Sequence, residues 1–145
     1  MTTHTSSLVF LQYLTTVFDN IQDSILLIGL EPQGVYRLLL ANKPFFRTSG
    51  FPQDSLGKTV PEIVGEEPAK YLIRHYKTVI RTKKPLEYTR WSDVPTGRKA
   101  FEVQLIPILN TVGEVVQIAA LTRDVTEVLE LREQVAKLTG QAPAV

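Results

Sequence analysis

The chain holds no cysteine, one methionine, one tryptophan and two histidines in 145 residues. Without cysteine there is no disulfide, no thiolate nucleophile and no cysteine-ligated zinc or iron–sulfur centre. No apolar run approaches the roughly 18 residues of a membrane span. The opening MTTHTSSLVFLQ lacks a basic segment followed by a long apolar one, so no signal peptide is expected. Acid and base nearly cancel: the net charge is +1, which gives no global pull toward nucleic acid or membrane. The expectation is a soluble cytoplasmic domain with no nucleic-acid partner. What is present is apolar content of 43%, enough for a core, in a length that suits one domain.

Charge is uneven along the chain. Nine basic residues stand between Lys70 and Lys99, opposed only by Glu87 and Asp93, for a local charge of +7. A solvated helix face with exposed strand positions accounts for such a run; an anionic partner or ligand is the sharper alternative. No aromatic interleaving supports stacking on nucleic-acid bases.

Residues 6–21 read as a helix, with Leu11, Leu14, Phe18 and Ile21 at steps of three and four and Ser6 or Ser7 as its cap. Leu8, Phe10, Tyr13 and Val17 add further apolar faces. Such a helix needs more than one partner surface. Its own sheet is one, and a second protomer the other, with Leu8, Leu11, Leu14 and Phe18 as the expected homodimer interface. Residues 24–30 and 35–41 read as a hairpin around Glu31-Pro32-Gln33-Gly34. Asn42 caps a short helix that ends at Gly50. Short turns follow to Glu67, then a longer helix from Pro68 to about Thr82. Residues 86–93, 99–109 and 114–122 read as three antiparallel strands. Asp124-Val125-Thr126-Glu127 fits a capping box for a helix to about Leu138, whose Val128, Leu131, Val135 and Leu138 fall on heptad a and d positions.

This order predicts an α+β fold: a five-stranded antiparallel sheet with helices on one face, an N-terminal helix and a C-terminal exit helix. The expected boundaries are 1–21 for the dimerising helix, 22–124 for the core, 125–139 for the output helix and 140–145 for a tail. The QAPAV end reads as linker and favours a piece of a longer protein.

Three segments carry a resemblance: ILLIGLEPQGVYRLLLANKPFFRTSGF, VIRTKKPLEY and GRKAFEVQLIPILNTVGEVVQIAALTRDVTE. Together they resemble the PAS domain family, over about residues 12–139. The closing RDVTE looks like the family's Asp-aliphatic-Thr signature before an output helix. The resemblance implies a sensory or dimerisation module that relays a signal to an output domain, such as a histidine kinase or diguanylate cyclase, in cis or in trans. Asp124, with Thr126 and Glu127, is the implied signal relay.

A ligand is expected between sheet and helices, against Ile28, Leu40, Phe45, Ile63, Leu72, Val79, Trp91, Val103 and Leu121, with Asn42, His75 and Tyr88 as its polar neighbours. The ligand's identity is open. Heme conflicts with the register, because the family's iron-ligand position falls near Leu72, one turn before His75. The blue-light flavin subfamily needs a cysteine adduct site, which this chain lacks; a non-covalent flavin or another small molecule fits. No P-loop, GxSxG, HExxH or dinucleotide fingerprint is present, and no metal site assembles from Asp19, Asp23 and Glu31, so the expectation is a non-enzyme. The alternatives are a ligand-free structural dimer module and a small α+β enzyme of the nuclear-transport-factor-like type, with His75 and Asp54 or Asp93 as its acid–base pair.

Overall fold

The computed structural model describes residues 3–140. Helix α1 (Thr3–Asn20) leads into strands β1 (Ser24–Glu31) and β2 (Val35–Ala41). Helices α2 (Lys43–Ser49), α3 (Val60–Val64) and α4 (Glu66–Thr82) form the crossover. Strands β3 (Leu86–Val94), β4 (Gly97–Leu109) and β5 (Val115–Asp124) follow, and α5 (Thr126–Thr139) closes the fold. The sheet is antiparallel throughout, in the order β2-β1-β5-β4-β3. The crossover therefore carries the chain from one edge of the sheet to the other, and the meander returns β5 beside β1. The expected fold is the observed one.

Local chemistry starts and stops these elements. Asn42 caps α2 through its side chain, Pro44 sits in the first turn, and Gly50 ends the helix at φ 80° with its N–H on the Phe46 carbonyl. Thr59 and Glu62 form a reciprocal capping box on α3 that the sequence reading passed over. The start of α1 differs from expectation: the helix begins at Thr3, so Ser6 and Ser7 lie inside it rather than at its cap. Gly140 takes the left-handed conformation that closes α5, and the tail expected after it, 141–145, lies outside the described residues.

The core joins Ile28, Leu38, Leu105 and Ile118 of the sheet to Val60, Ala69, Tyr76 and Val79 of the helices. One irregularity decides which residues reach it. The β1–β2 ladder pairs Leu27 with Leu40 but Ile28 with Leu38, leaving Leu39 as an extra residue. A bulge of this kind reverses the side on which the strand's later residues project. Leu38 is thus buried beside Ile28, while Leu40 is 53% exposed on the far face. Strict alternation from Leu38 would put both on the inner face; the bulge is what turns Leu40, expected against the ligand, away from it.

The two leucines should therefore behave oppositely. Leu38→Ala should cost about 3 kcal/mol in urea unfolding. Leu40→Ala should change stability by less than about 0.5 kcal/mol. Equal losses would contradict the bulge.

Candidate functional site

A cavity of about 360 Å³ lies between the inner face of the sheet and the α2–α4 cover, within the usual range for small-molecule sites. Ile28, Val103, Leu105, Ala120 and Thr122 are its sheet side; Phe45, Ile63, Leu72 and Tyr76 are its helical side. Residues 90–94 of β3 and Arg98 of β4 bound one end. Small side chains at Ser24, Ala120 and Thr122 leave room that leucines would fill. Phe45 is held by an edge contact with Phe46 and by stacking on Phe51. Tyr76 packs on Tyr36 with ring centroids 5.3 Å apart. Burial pushes the phenols of Tyr76 and Tyr88 well above the usual tyrosine range, so both stay protonated donors.

Seven of the expected lining residues border this space: Ile28, Phe45, Ile63, Leu72, Tyr88, Trp91 and Val103. Five do not. Leu40 faces out because of the bulge. Leu121 pairs with Ile25 and Gln104, whereas Ala120 and Thr122 on either side of it line the cavity. Val79 is fully buried in the core and takes no part in the lining. Asn42 is fully buried too, but all its bonds go to backbone. His75 donates from Nδ1 to the Tyr71 carbonyl at 2.9 Å, the tautomer that a carbonyl partner requires. Its ring stacks on Tyr88 at 4.0 Å, behind the cavity wall. Trp91 borders the space but shares a pairing with Ala100, and the Arg98 guanidinium carbon lies 5.4 Å from its ring centroid. Sequence reasoning missed Leu26, Tyr76, Arg90 and Phe101, which also line the space. The register would have found Arg90, which is paired with Phe101.

No acid–base pair forms around His75. Asp54 lies 3.7 Å from Lys58 and Asp93 4.0 Å from Arg98. Among the described residues no group of three or more His, Asp or Glu side chains is arranged to hold a metal ion.

The exit of β5 carries the second feature. Thr126 Oγ1 accepts from the Ala100 N–H at 2.9 Å and donates to Asp124 Oδ1 at 2.5 Å. The same Asp124 oxygen accepts from the Thr126 N–H at 3.0 Å, one of the backbone donors that the first turn of α5 leaves unpaired. Lys99 stands 3.5 Å from the other carboxylate oxygen. The expected capping box is not what holds the helix. Val125 is the N-cap and makes no side-chain cap bond. Asp124, the last strand residue, reaches past it, and among the described residues the Glu127 side chain accepts no hydrogen bond. At the neighbouring position Arg123 reaches Asp23 at 3.4 Å.

Burial alone would raise the Asp124 carboxyl, but the Thr126 bonds and the Lys99 charge outweigh it and hold the group below the usual aspartate range. A depressed folded value stabilises the fold above the unfolded value of about 3.9, and this contribution is lost as pH falls through the folded value. Asp124→Asn keeps an acceptor oxygen and removes the charge. It should therefore be less stable than the parent at pH 7 in urea unfolding, with the gap closing as the pH falls below about 3.9. A gap that does not vary with pH would contradict this.

The model of a family described as the PAS fold matches residues 18–130. No curated protein matches the chain. Among solved structures, an RNA-binding Light-Oxygen-Voltage receptor superposes with a TM-score of 0.72 at 21% identity, over 92% of this chain and 38% of that one. The chain thus spans well under half of that receptor. The PAS domain of BvgS from Bordetella pertussis gives 0.63 at 25% identity, over 91% of this chain and 98% of that one. A sensory box sensor histidine kinase from Vibrio cholerae gives 0.57 at 17% identity, over 86% and 98%.

Proposed function

The chain belongs to the PAS fold family, and from that footing we propose that it is a sensory module in which occupancy of the cavity biases α5 and, through it, an output domain. The observation that carries this reading is one of adjacency. Phe101 lines the cavity and pairs with Asp124, while its neighbour Ala100 donates to Thr126 at the start of α5. A ligand that moves the Phe101 strand therefore acts one residue away from the bond that seats the exit helix. Coupling of this kind is typically worth about 1–3 kcal/mol, comparable to the roughly 1 kcal/mol of a helix cap. The output domain on this reading is a histidine kinase or diguanylate cyclase, in cis or in trans, in keeping with the sensor histidine kinase among the structural neighbours. The ligand is a small organic molecule, with non-covalent flavin one candidate. No described helix is long and apolar enough to cross a membrane.

Dimerisation is the second part of the proposal. Leu8, Leu11 and Leu14 are each about half exposed, and Phe10, Tyr13 and Val17 on the other faces of α1 more so. A helix this apolar all round calls for a partner surface. The same exposure supports the ligand-free dimer module as the competing reading. The cavity favours the sensory one, since a purely structural module gains nothing from unfilled space in its core.

Two measurements test the two parts of the proposal. The absorption spectrum and native mass of protein purified from cells should reveal a bound small molecule, and Val103→Trp, which fills the cavity, should abolish its retention while the fold persists. Retention unchanged in that variant would remove the cavity as the site. Leu11→Glu with Leu14→Glu should give a folded monomer by light scattering. A dimer that survives would move the interface elsewhere.

A further inference from the structure

The basic run of residues 70–99 divides once the chain folds. Lys70, Arg74, Lys77 and Arg81 lie exposed along α4. Arg90 does not join them. It pairs with Phe101 across the β3–β4 ladder, so its side chain leaves the strand on the cavity side, and it lines the cavity half-buried. Its guanidinium sits over the Tyr71 ring, with Cζ 3.8 Å from the ring centroid, an arrangement that positions a cation without neutralising it. One of its five N–H groups, Nε, donates to the Trp91 carbonyl at 3.2 Å. The Nη groups enter no hydrogen bond and no carboxylate pairs with them among the described residues. The other charges at that end, Asp93 and Arg98, stand 4.0 Å apart and offset one another. The cavity thus ends in one unopposed, stacked guanidinium, and behind it the lining is Ile28, Leu38, Val103 and Leu105.

Resting on the ligand-sensing reading above, we infer that the ligand is an amphipathic monocarboxylate, with its carboxylate in the Arg90 fork and its aliphatic or aromatic body on the sheet. A guanidinium fork matches the two oxygens of a carboxylate in a bidentate pair. A phosphate would bring nearly two charges, and the cavity offers neither a second unopposed cation nor any glycine whose backbone N–H groups lie bare in the lining. The protonated phenols of Tyr76 and Tyr88 supply no competing anion.

The test titrates decanoate and its uncharged counterpart decanol into the purified chain by calorimetry. Decanoate should bind the parent at least about tenfold tighter than decanol, as charge-assisted hydrogen bonds require. Arg90→Gln should cost decanoate about tenfold or more and leave decanol unchanged; Arg90→Lys, which keeps the charge and loses the fork, should fall between. Circular dichroism melting of both variants confirms that they fold. Val103→Trp should weaken both probes. Equal affinity of the parent for acid and alcohol, equal decanoate affinity in parent and Arg90→Gln, or no decanoate binding up to its solubility would overturn the carboxylate assignment. In those cases decanol binding that Val103→Trp abolishes still upholds the cavity as a ligand site, whereas binding indifferent to Val103→Trp defeats the cavity reading itself.

Discussion

The buried amide of Asn42 is the constraint on which the rest of this fold hangs. Its Oδ1 accepts from the Ile25 and Phe45 N–H groups at 3.0 and 3.3 Å, and its Nδ2 donates to the Phe18 and Asp23 carbonyls at 2.8 and 3.0 Å. The amide therefore has all its capacity in use with no exposure to solvent. The four partners belong to the end of α1, the entry to β1 and the first turn of α2. Replacing the amide with an apolar group would strip the Ile25 N–H and the Phe18 and Asp23 carbonyls of this partner, at about 1–3 kcal/mol for each one that finds no water, while the Phe45 N–H keeps the Asn42 backbone carbonyl at 3.1 Å. Asp19 reinforces the node by accepting from the Lys43 N–H at 3.1 Å.

The node fixes where β2 must end, and the bulge at Leu39 lets it arrive there. The extra residue turns Ala41 toward the core and sends Leu40 outward. Asn42 can then point under α1 while Leu38 and Tyr36 still pack inside. The cavity follows from the same geometry: the helices of the crossover are seated at one end on Asn42, and small residues lie beneath them on β1 and β5.

Both terminal helices adjoin the ladder between β1 and β5. Helix α1 hangs from Asn42 just before Asp23, and α5 starts just after Asp124. Ser24 pairs with Thr122, and the Asp23–Arg123 contact joins the residues beyond that pair. Displacement of β5 is therefore felt at both helices, which is the layout a module needs if a signal is to enter through a ligand and leave through a helix.

The element order, the antiparallel sheet, the caps at Asn42 and Gly50 and the apolar character of α1 were legible in the chain, because propensity, turn chemistry and periodicity act over a few residues. So was Asp124 as an acceptor for the start of α5, since its partner is two residues away. Leu40 and Leu121 were misread because the side a strand residue faces depends on register, which a single bulge or a one-residue shift reverses. The role of Asn42 was half legible: the local cap could be read, but not Phe18 and Asp23, which reach it only through folding. Arg90 looked like one more solvated charge, and only its pairing with Phe101 turns it toward the cavity. Local sequence determined which elements form. Tertiary structure decided which side chains meet, because pairing across the sheet and burial join residues whose separation along the chain says nothing of their distance in space.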